Sequence, residues 1–190
     1  MRNPFADVIK LVKTSEHIFL QRVNDAIFIC DGHYIFKVNE AVYKTYFRTE
    51  CACFAELEDA AMMTADSAKS LPECGGVDIH KYYTKAISDS IPIPVTISNF
   101  LYEIPADNSW SKSKPRILRI AGNDKFTVTL NENFMKAAKN IYDYIGGSSY
   151  YGTGSKQPIF FNSDEAGALI LPVNNPGITD KDFNTCFRTA

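Results

Sequence analysis

The chain has 190 residues, of which 45% are apolar and 22% are charged, a balance typical of a folded globular protein rather than a disordered one. This length fits a single domain and is sufficient to bury a substantial hydrophobic core. The formal net charge of −2 excludes indiscriminate nucleic-acid binding through overall charge, while leaving room for a locally basic face.

The cysteines and the N-terminus bear on the cellular location. Five cysteines lack the spacing of a disulfide framework, and Cys30 and Cys53 lie among apolar neighbours, as reduced core thiols do. The first residues carry charges at Asp7 and Lys10 and contain no cleavage site of small residues, so we expect no signal peptide. No stretch reaches the roughly 18 apolar residues of a membrane span. We therefore expect a soluble, cytoplasmic protein that contacts no membrane.

The N-terminal part of the sequence predicts a short helix followed by a three-stranded meander. Asn3-Pro4 is typical of a helix start, and apolar residues then recur at helical spacing, which predicts a helix over 4–13. Asp31-Gly32 predicts a hairpin, because its preferred type I′ turn needs positive φ at both central positions. The pattern of β-branched and aromatic residues predicts strands at 18–20, 26–30 and 33–38.

The next segment is less regular. Asn39 can cap a helix over 40–48. Its apolar residues share one face: Val42, Tyr43, Tyr46 and Phe47. Residues 51–65 are rich in helix formers and predict a further helix. Residues 71–90 contain one proline and two glycines and look irregular up to about residue 78, so we interpret 50–90 as an irregular insertion.

The second half of the chain begins with a pair of strands. Ile91-Pro92-Ile93-Pro94 is not expected in a central strand, because each proline lacks the donor that a strand ladder needs. Strands are predicted at 95–104 and 116–120, and the polar segment 106–115 between them is expected to be a mobile loop.

Residues 125–173 carry the clearest pattern, a strand, a helix and two strands. Residues 125–130 alternate in polarity, and Asn131 starts a helix that ends at Gly146-Gly147. Its predicted core face is Phe134, Ala138, Ile141 and Ile145. Strands at 158–161 and 168–173 then flank a turn at 163–165, and residues 178–190 are a polar tail. We therefore predict one α+β domain over 1–177, with antiparallel sheets, two main helices packed on one face and a short N-terminal helix.

Several catalytic or metal-binding patterns are absent or incomplete. The stretch 147–156 resembles a phosphate-binding loop, but no Lys-Ser/Thr follows Gly152, and the predicted order is helix to strand, so we interpret it as a connecting loop. Cys51 and Cys53 lack two further ligands at useful spacing, and His33 and His80 are isolated, so no metal or cofactor is expected. The carboxylates at 56–59 fit a solvated helix face, and those at 164–165 fit a turn. We therefore interpret neither group as catalytic.

Two alternatives stay open at this point. A cysteine and a histidine distant in sequence can meet in space, so an activity based on Cys53 or Cys186 remains an alternative to the non-catalytic interpretation. Four tyrosines around the glycine loop could stack bases or dock a peptide, although core packing is the more ordinary role. They are Tyr142, Tyr144, Tyr150 and Tyr151.

The unit 125–173 resembles the closing half-domain of bacterial DNA sliding clamps, the superfamily of the DNA polymerase III β-subunit. The resemblance is carried by an alternating strand, the helix start and two closing strands. The matching positions are Asn131, Phe134, Met135, Pro158, Ile159, Leu171, Pro172 and Val173. Residues 29–33 also resemble the strand and Asp-Gly turn of a first clamp half. The match covers about 50 residues well, and the chain has room for one clamp domain where bacterial clamps carry three.

The resemblance implies helices that face DNA and a closing strand beside a pocket for partner peptides. Lys136, Lys139, Lys44 and Arg48 are then the candidates for contact with phosphates, since long cations on helices can hold a DNA backbone without reading its sequence. Leu171, Pro172 and Val173 are the candidates for the partner pocket. The expected function is non-catalytic binding of double-stranded DNA or replication proteins, in a phage or mobile-element setting, with homo-oligomers as a further expectation. The alternative is a protein-interaction or structural module with no DNA role.

Overall fold

The computed structural model describes residues 3–15, 18–48, 50, 62–63, 70–71, 78–88, 91–104 and 116–173. Its helices are α1 (Ala6–Thr14), α2 (Glu40–Val42, continued by a π-helical turn over Tyr43–Phe47), α3 (Ile79–Ser88) and α4 (Glu132–Tyr144). Its strands are β1 (Phe19–Val23), β2 (Ala26–Cys30), β3 (Tyr34–Asn39), β4 (Met62–Met63), β5 (Ser70–Leu71), β6 (Ile93–Ile104), β7 (Arg116–Gly122), β8 (Thr127–Asn131), β9 (Tyr150–Gly152), β10 (Ile159–Asn162) and β11 (Ala166–Ile170).

The strands form one antiparallel sheet in the order β5-β4-β1-β2-β3-β11-β10-β9-β6-β7-β8. The α+β class and the large antiparallel sheet are therefore as predicted. In the centre of the sheet, β3 of the N-terminal meander pairs with β11, the last strand, from Val38 opposite Ala166 to Tyr34 opposite Ile170. Beyond β11, the backbone N–H of Val173 donates to Thr129 O of the edge strand β8 at 2.8 Å. The segment after β11 thus links the middle of the sheet to its edge.

The hairpin predicted at Asp31-Gly32 is present, but its turn is not of the expected two-residue type. Cys30 pairs with Ile35, so four residues lie between the paired positions. Gly32 has φ +91°, whereas Asp31 does not have positive φ. Asp31 Oδ1 instead accepts the backbone N–H of His33 at 2.8 Å. The aspartate therefore acts through its side chain, as acceptors in such turns commonly do.

Pro94 lies inside a central strand, which corrects the expectation for residues 91–94. It pairs with Tyr151 of β9, and its carbonyl accepts a hydrogen bond from Asn123 Nδ2 at 3.1 Å. In an antiparallel strand the N and O of one residue point to the same side. The hydrogen bond from Asn123 shows that the carbonyl and nitrogen of Pro94 point towards β7. On the β7 side, the ladder of β6 begins only at Thr96 opposite Gly122. The missing proline N–H therefore removes no ladder hydrogen bond.

The helices lie on both faces of the sheet. Successive residues of β2 show the two faces, because Ile27 and Ile29 belong to the core under α1, α2 and α4, while Phe28 belongs to a smaller core under α3. Phe5 joins the helices of the first face, with its ring centroid 5.2 Å from Tyr46 and 5.2 Å from Tyr144. The first face thus carries two helices, α2 and α4, besides the N-terminal α1, and α3 covers the other face.

Three local predictions need correction. Helix α3 lies inside the range interpreted as irregular, where Asp78 Oδ1 accepts the N–H of Lys81 at 2.9 Å and starts the helix. Met62 and Met63 pair with β1 rather than ending a helix over 51–65. Tyr150–Gly152 is a strand inside the presumed connecting loop. Residues 51–61, 106–115 and 174–190 lie outside the described part, and so do the predictions made for them.

Helix α4 begins where the sequence predicts, but its buried face is rotated slightly. Asn131 caps it, with its side chain accepting the N–H of Asn133 at 2.9 Å. Among the expected core residues Ala138 and Ile141 are buried, while Phe134 and Ile145 are only half-buried. The remaining buried positions are Glu132, Met135 and Ala137.

Candidate functional site

The four cations proposed to face DNA all lie exposed on helices of the same sheet face. Lys136 and Lys139 lie on α4, Lys44 lies in the π-helical turn of α2, and Arg48 follows that turn. The structure thus brings the four residues to one side of the molecule, as the prediction requires. It does not leave all of them unpaired.

Three of these cations contact acidic residues one helical turn away. Lys139 Nζ lies 2.7 Å from Asp143 Oδ2, and Lys136 Nζ lies 3.9 Å from Glu132 Oε1. Lys44 Nζ lies 3.2 Å from Glu40 Oε1. Exposed pairs of this kind contribute at most about 1 kcal/mol and can rearrange, but they reduce the positive charge that the face presents. The helical face is therefore closer to neutral than the lysines alone suggest.

Glu132 has a role that the sequence did not reveal. It is buried, and its carboxylate accepts two hydrogen bonds from Arg119 of β7, one from Nε and one from Nη2 at 2.6 Å. Arg119 also donates from Nη1 to Ser98 O of β6 at 2.8 Å. The hydrogen bond with Glu132 raises the pKa of Arg119. Glu132 therefore anchors α4 to the sheet, and its charge is compensated mainly by Arg119.

A cleft of about 270 Å³ lies between α4 and strands β6 and β7, and we refer to it as the α4 cleft. The charged residues Arg119, Glu132, Lys136 and Lys139 line it together with Tyr142 and Tyr150. The two tyrosine rings stack with centroids 4.4 Å apart at 16°. The cleft therefore gathers two of the four predicted cations beside a third, Arg119, that was not predicted.

Three of the four tyrosines around the glycine loop are half-buried, Tyr144 is 38% exposed, and all four contact other aromatic rings. Tyr142 stacks on Tyr150, and both meet the edge of Phe161 at centroid distances of 5.4 Å. Tyr144 contacts Phe5 and Tyr46, and Tyr151 lies 6.1 Å from Phe160. These contacts agree with core packing, the more ordinary of the two roles considered.

Exposed apolar side chains continue from the α4 cleft along the β6–β7 hairpin. Leu101 is 46% exposed and Ile117 is 44% exposed. Leu101 lies directly opposite Arg119 in the ladder. Ile117 precedes Arg119 by two residues and so projects from the same face of the strand. The cationic cleft and the apolar hairpin end thus form one continuous surface.

The partner-pocket candidates Leu171, Pro172 and Val173 are half-buried and held by backbone hydrogen bonds. Leu171 N–H donates to His33 O at 2.9 Å, and Thr129 Oγ1 donates to Val173 O at 2.8 Å. Leu171 also packs against the core under α3. Hydrogen bonds thus tie the segment both to the turn between β2 and β3 and to β8.

A second concave surface lies on the opposite face of the sheet, between α3 and the strands β2, β3 and β10. This α3 groove encloses about 420 Å³ and is lined by Phe28, Lys37, His80, Tyr83, Asn162 and Asp164, among others. No feature of the sequence indicated it, because its residues come from four separate parts of the chain.

The catalytic alternatives gain no support from the described residues. Cys53 and Cys186 lie outside them. Burial raises the pKa of the Cys30 thiol, although the N–H that Gly32 donates to its sulfur acts in the opposite direction, so the raised pKa gives no sign of an activated thiolate. Within the described ranges no group of three or more His, Cys, Asp or Glu residues is placed to hold a metal ion. The 147–156 segment runs from helix α4 through β9, so it is not a phosphate-binding loop.

Two further findings concern the chain as a whole. No helix of the described part is long and apolar enough to cross a membrane. No family model, no curated protein and no solved structure matches this chain.

Proposed function

We propose that this protein is a non-catalytic, clamp-like binding module that docks a partner protein at the α4 cleft. The observation that carries the proposal is the continuous surface formed by Lys136, Lys139 and Arg119 with the exposed side chains of Leu101 and Ile117. Cationic and apolar groups side by side are typical of surfaces that bind short protein segments.

The chemistry of the surface indicates the kind of segment that it would bind. Glu132 is buried and already paired with Arg119, so its charge is not presented to a partner. The two lysines of α4 are 63% and 66% exposed at their side chains and can turn from Glu132 and Asp143 towards a ligand. A segment that combines acidic with large apolar residues would complement both parts of the surface.

The element order supports the clamp-like part of the proposal. The run β8-α4-β9-β10-β11 has the order βαβββ of one clamp half. The first part of the chain departs from that order, since three strands precede α2 and two short strands follow it among the described residues. A replication protein of a phage or mobile element is the partner that the resemblance suggests, and self-association is a further part of the proposal.

Selection of peptides from a random display library tests the docking surface. We expect enriched peptides to combine Asp or Glu with Leu, Ile or Phe. Binding of a synthetic selected peptide, followed by fluorescence anisotropy, should weaken in Lys136→Glu/Lys139→Glu and in Ile117→Asp. The matched control is Lys156→Glu, which changes an exposed lysine that does not line the cleft. Enrichment of basic peptides, or equal binding by all variants, would refute the proposal.

DNA is a second candidate partner, favoured by the placement of Lys10, Lys44, Arg48, Lys136 and Lys139 on helices that share one sheet face. A duplex contacting this face would lose affinity as salt rises, because phosphate contacts release counterions. Anisotropy with a labelled duplex at several salt concentrations tests this. Reversal of Lys136 and Lys139 to glutamate should weaken binding and flatten its salt dependence, and no effect of either change would exclude DNA.

A further inference from the structure

The α3 groove lies on the sheet face opposite the α4 cleft, so what it binds does not depend on the function proposed above. Phe28, which is buried, and Ile87, which is half-buried, provide an apolar floor. Tyr83 is 3% exposed, and its hydroxyl lies 3.1 Å from Asn162 Oδ1. The groove thus has an apolar base and a fixed polar wall.

Lys37 provides the positive charge of the groove. Its Nζ donates to Asn162 Oδ1 at 2.8 Å and to Ser163 O at 2.6 Å. An ammonium group carries three N–H donors, so one remains after these two hydrogen bonds to neutral oxygens. Burial lowers the pKa of Lys37. The ammonium is therefore held in a partly desolvated position where an anionic group would stabilise it.

Asp164 provides a negative charge in the groove, and it does not neutralise Lys37 by contact. Its charge partly offsets the lowering of the Lys37 pKa by burial. Both residues line the groove, yet no direct ion pair joins them in the described part of the chain. Asp25 adds a second carboxylate to the rim. Opposite charges thus face the same space without touching.

We propose that the α3 groove binds a zwitterionic α-amino acid with an apolar side chain. The carboxylate of the ligand accepts the third N–H of Lys37, its ammonium group faces Asp164, and its side chain lies on Phe28 and Ile87. A simple carboxylic acid would meet the repulsion of two aspartates, and a simple amine would meet Lys37. A ligand with both charges matches both walls of the groove.

Titration calorimetry with L-leucine and L-phenylalanine tests the proposal, with N-acetyl-L-phenylalanine and L-phenylalaninamide as ligands that each lack one charge. We expect saturable binding of the free amino acids and at least about tenfold weaker binding of both blocked forms, equivalent to the loss of one charged contact. Absence of saturable binding by either free amino acid would overturn the proposal. Equal binding of the acetylated form would overturn the role of Asp164, and equal binding of the amide would overturn that of Lys37.

Variants test whether the amino acid binds in the α3 groove or elsewhere on the surface. Lys37→Met and Asp164→Asn should each weaken amino-acid binding about tenfold or more, whereas the exposed Lys156→Met should bind as the original chain does. If Lys37→Met does not fold, the ¹³Cε resonance of Lys37 gives a second measurement in the unaltered chain. Saturation with L-leucine should raise the pKa of Lys37, and an unchanged titration curve would contradict the proposal.

Discussion

Glu132 holds its carboxylate almost entirely out of water, with a side chain only 3% exposed. The guanidinium of Arg119 compensates for the lost hydration with two hydrogen bonds, which is the arrangement that makes a buried charge tolerable. The pair joins the start of α4 to β7, and both residues line the α4 cleft. The same two residues therefore bear on both stability and the proposed docking surface.

Removal of one partner from this pair should be more damaging than removal of both. We expect Arg119→Met to lower the free energy of unfolding by about 3 kcal/mol, because it leaves a buried carboxylate unpaired. The double variant Arg119→Met/Glu132→Met should recover part of this loss. Urea denaturation of the two variants and of Glu132→Met completes a double-mutant cycle. Additive losses would mean that the two side chains do not interact as the structure indicates.

Asp31 makes a pH-dependent contribution to stability. Burial raises the pKa of its carboxyl group above the ordinary value of 3.8, although hydrogen bonds from His33 and Tyr34 offset part of the effect. A raised pKa in the folded state means that the folded chain holds the proton longer than the unfolded chain. Stability is thus favoured below pH 3.8 and is lost as the pH rises through the folded-state pKa.

The comparison with Asp31→Asn isolates this contribution. The amide still offers an oxygen to the backbone N–H of His33 but does not titrate. We expect the stability of the original chain relative to Asp31→Asn to fall as the pH rises from about 4 towards neutrality. Urea midpoints at a series of pH values measure it. A difference between the two proteins that stays constant with pH would contradict the raised pKa.

Among the elements, α4 shows how far local pattern determines structure. Its start at Asn131 and its end near Gly146 follow from capping chemistry that acts over a few residues. Its buried face differed from the prediction at Phe134 and Ile145, because the neighbours that decide burial are α1 and the sheet. Asp7 of α1, for instance, accepts a hydrogen bond from Asn140 of α4 at 2.6 Å.

The Asn131 cap can be tested by a single substitution. Asn131→Ala removes the acceptor for the N–H of Asn133 and should lower the free energy of unfolding by about 1 kcal/mol. Asn133→Ala is the matched control, since it changes an exposed asparagine two residues later in the same helix. Thermal unfolding followed by circular dichroism measures both. Equal loss in the two variants would indicate that the cap contributes nothing specific.

Helix α3 was missed although its pattern is present in the sequence. Ile79, Tyr83 and Ile87 recur every four residues, and Asp78 is a good helix start. The proline and glycines just before them favoured an irregular interpretation. The π-helical turn at Tyr43–Phe47 has no such signal, since ordinary helical spacing describes its apolar residues equally well.

At the scale of the whole molecule, the link between β8 and the segment after β11 connects the sheet edge to its centre. Thr129 contributes two of its groups, with its carbonyl accepting the Val173 N–H and its hydroxyl donating to the Val173 carbonyl. The candidate residues Leu171 to Val173 are therefore part of this connection. Their resemblance to a clamp segment is consistent with a structural role as well as with a partner pocket.

Loss of the Thr129 hydroxyl should loosen this connection. Thr129→Val keeps the shape of the side chain but leaves the Val173 carbonyl without its side-chain donor, at an expected cost of about 1 kcal/mol. Hydrogen exchange followed by NMR should show faster exchange at Val173. Thr127→Val, in the same strand and without that contact, is the control. An unchanged exchange rate of the Val173 N–H would show that the Thr129 hydroxyl does not stabilise this connection.

The sequence by itself determined the features that depend on neighbours along the chain. These are the α+β class, the meander of β1 to β3, the caps at Asn39 and Asn131 and the strands β8, β10 and β11, all of which follow from periodicity and turn chemistry within a few residues. The clamp resemblance also rests on such local patterns, which concern the order of elements and not their surfaces.

Only the tertiary structure decided which distant residues meet. Lys37 contacts Asn162, Arg119 contacts Glu132, and β3 pairs with β11, because burial and hydrogen-bond satisfaction over the whole core select one pairing among many. Both concave surfaces arise from such contacts, whereas the near-neutral helical face arises from ion pairs one helical turn apart. The residues proposed to bind a partner were visible in the sequence as charges, but their setting was decided by the fold.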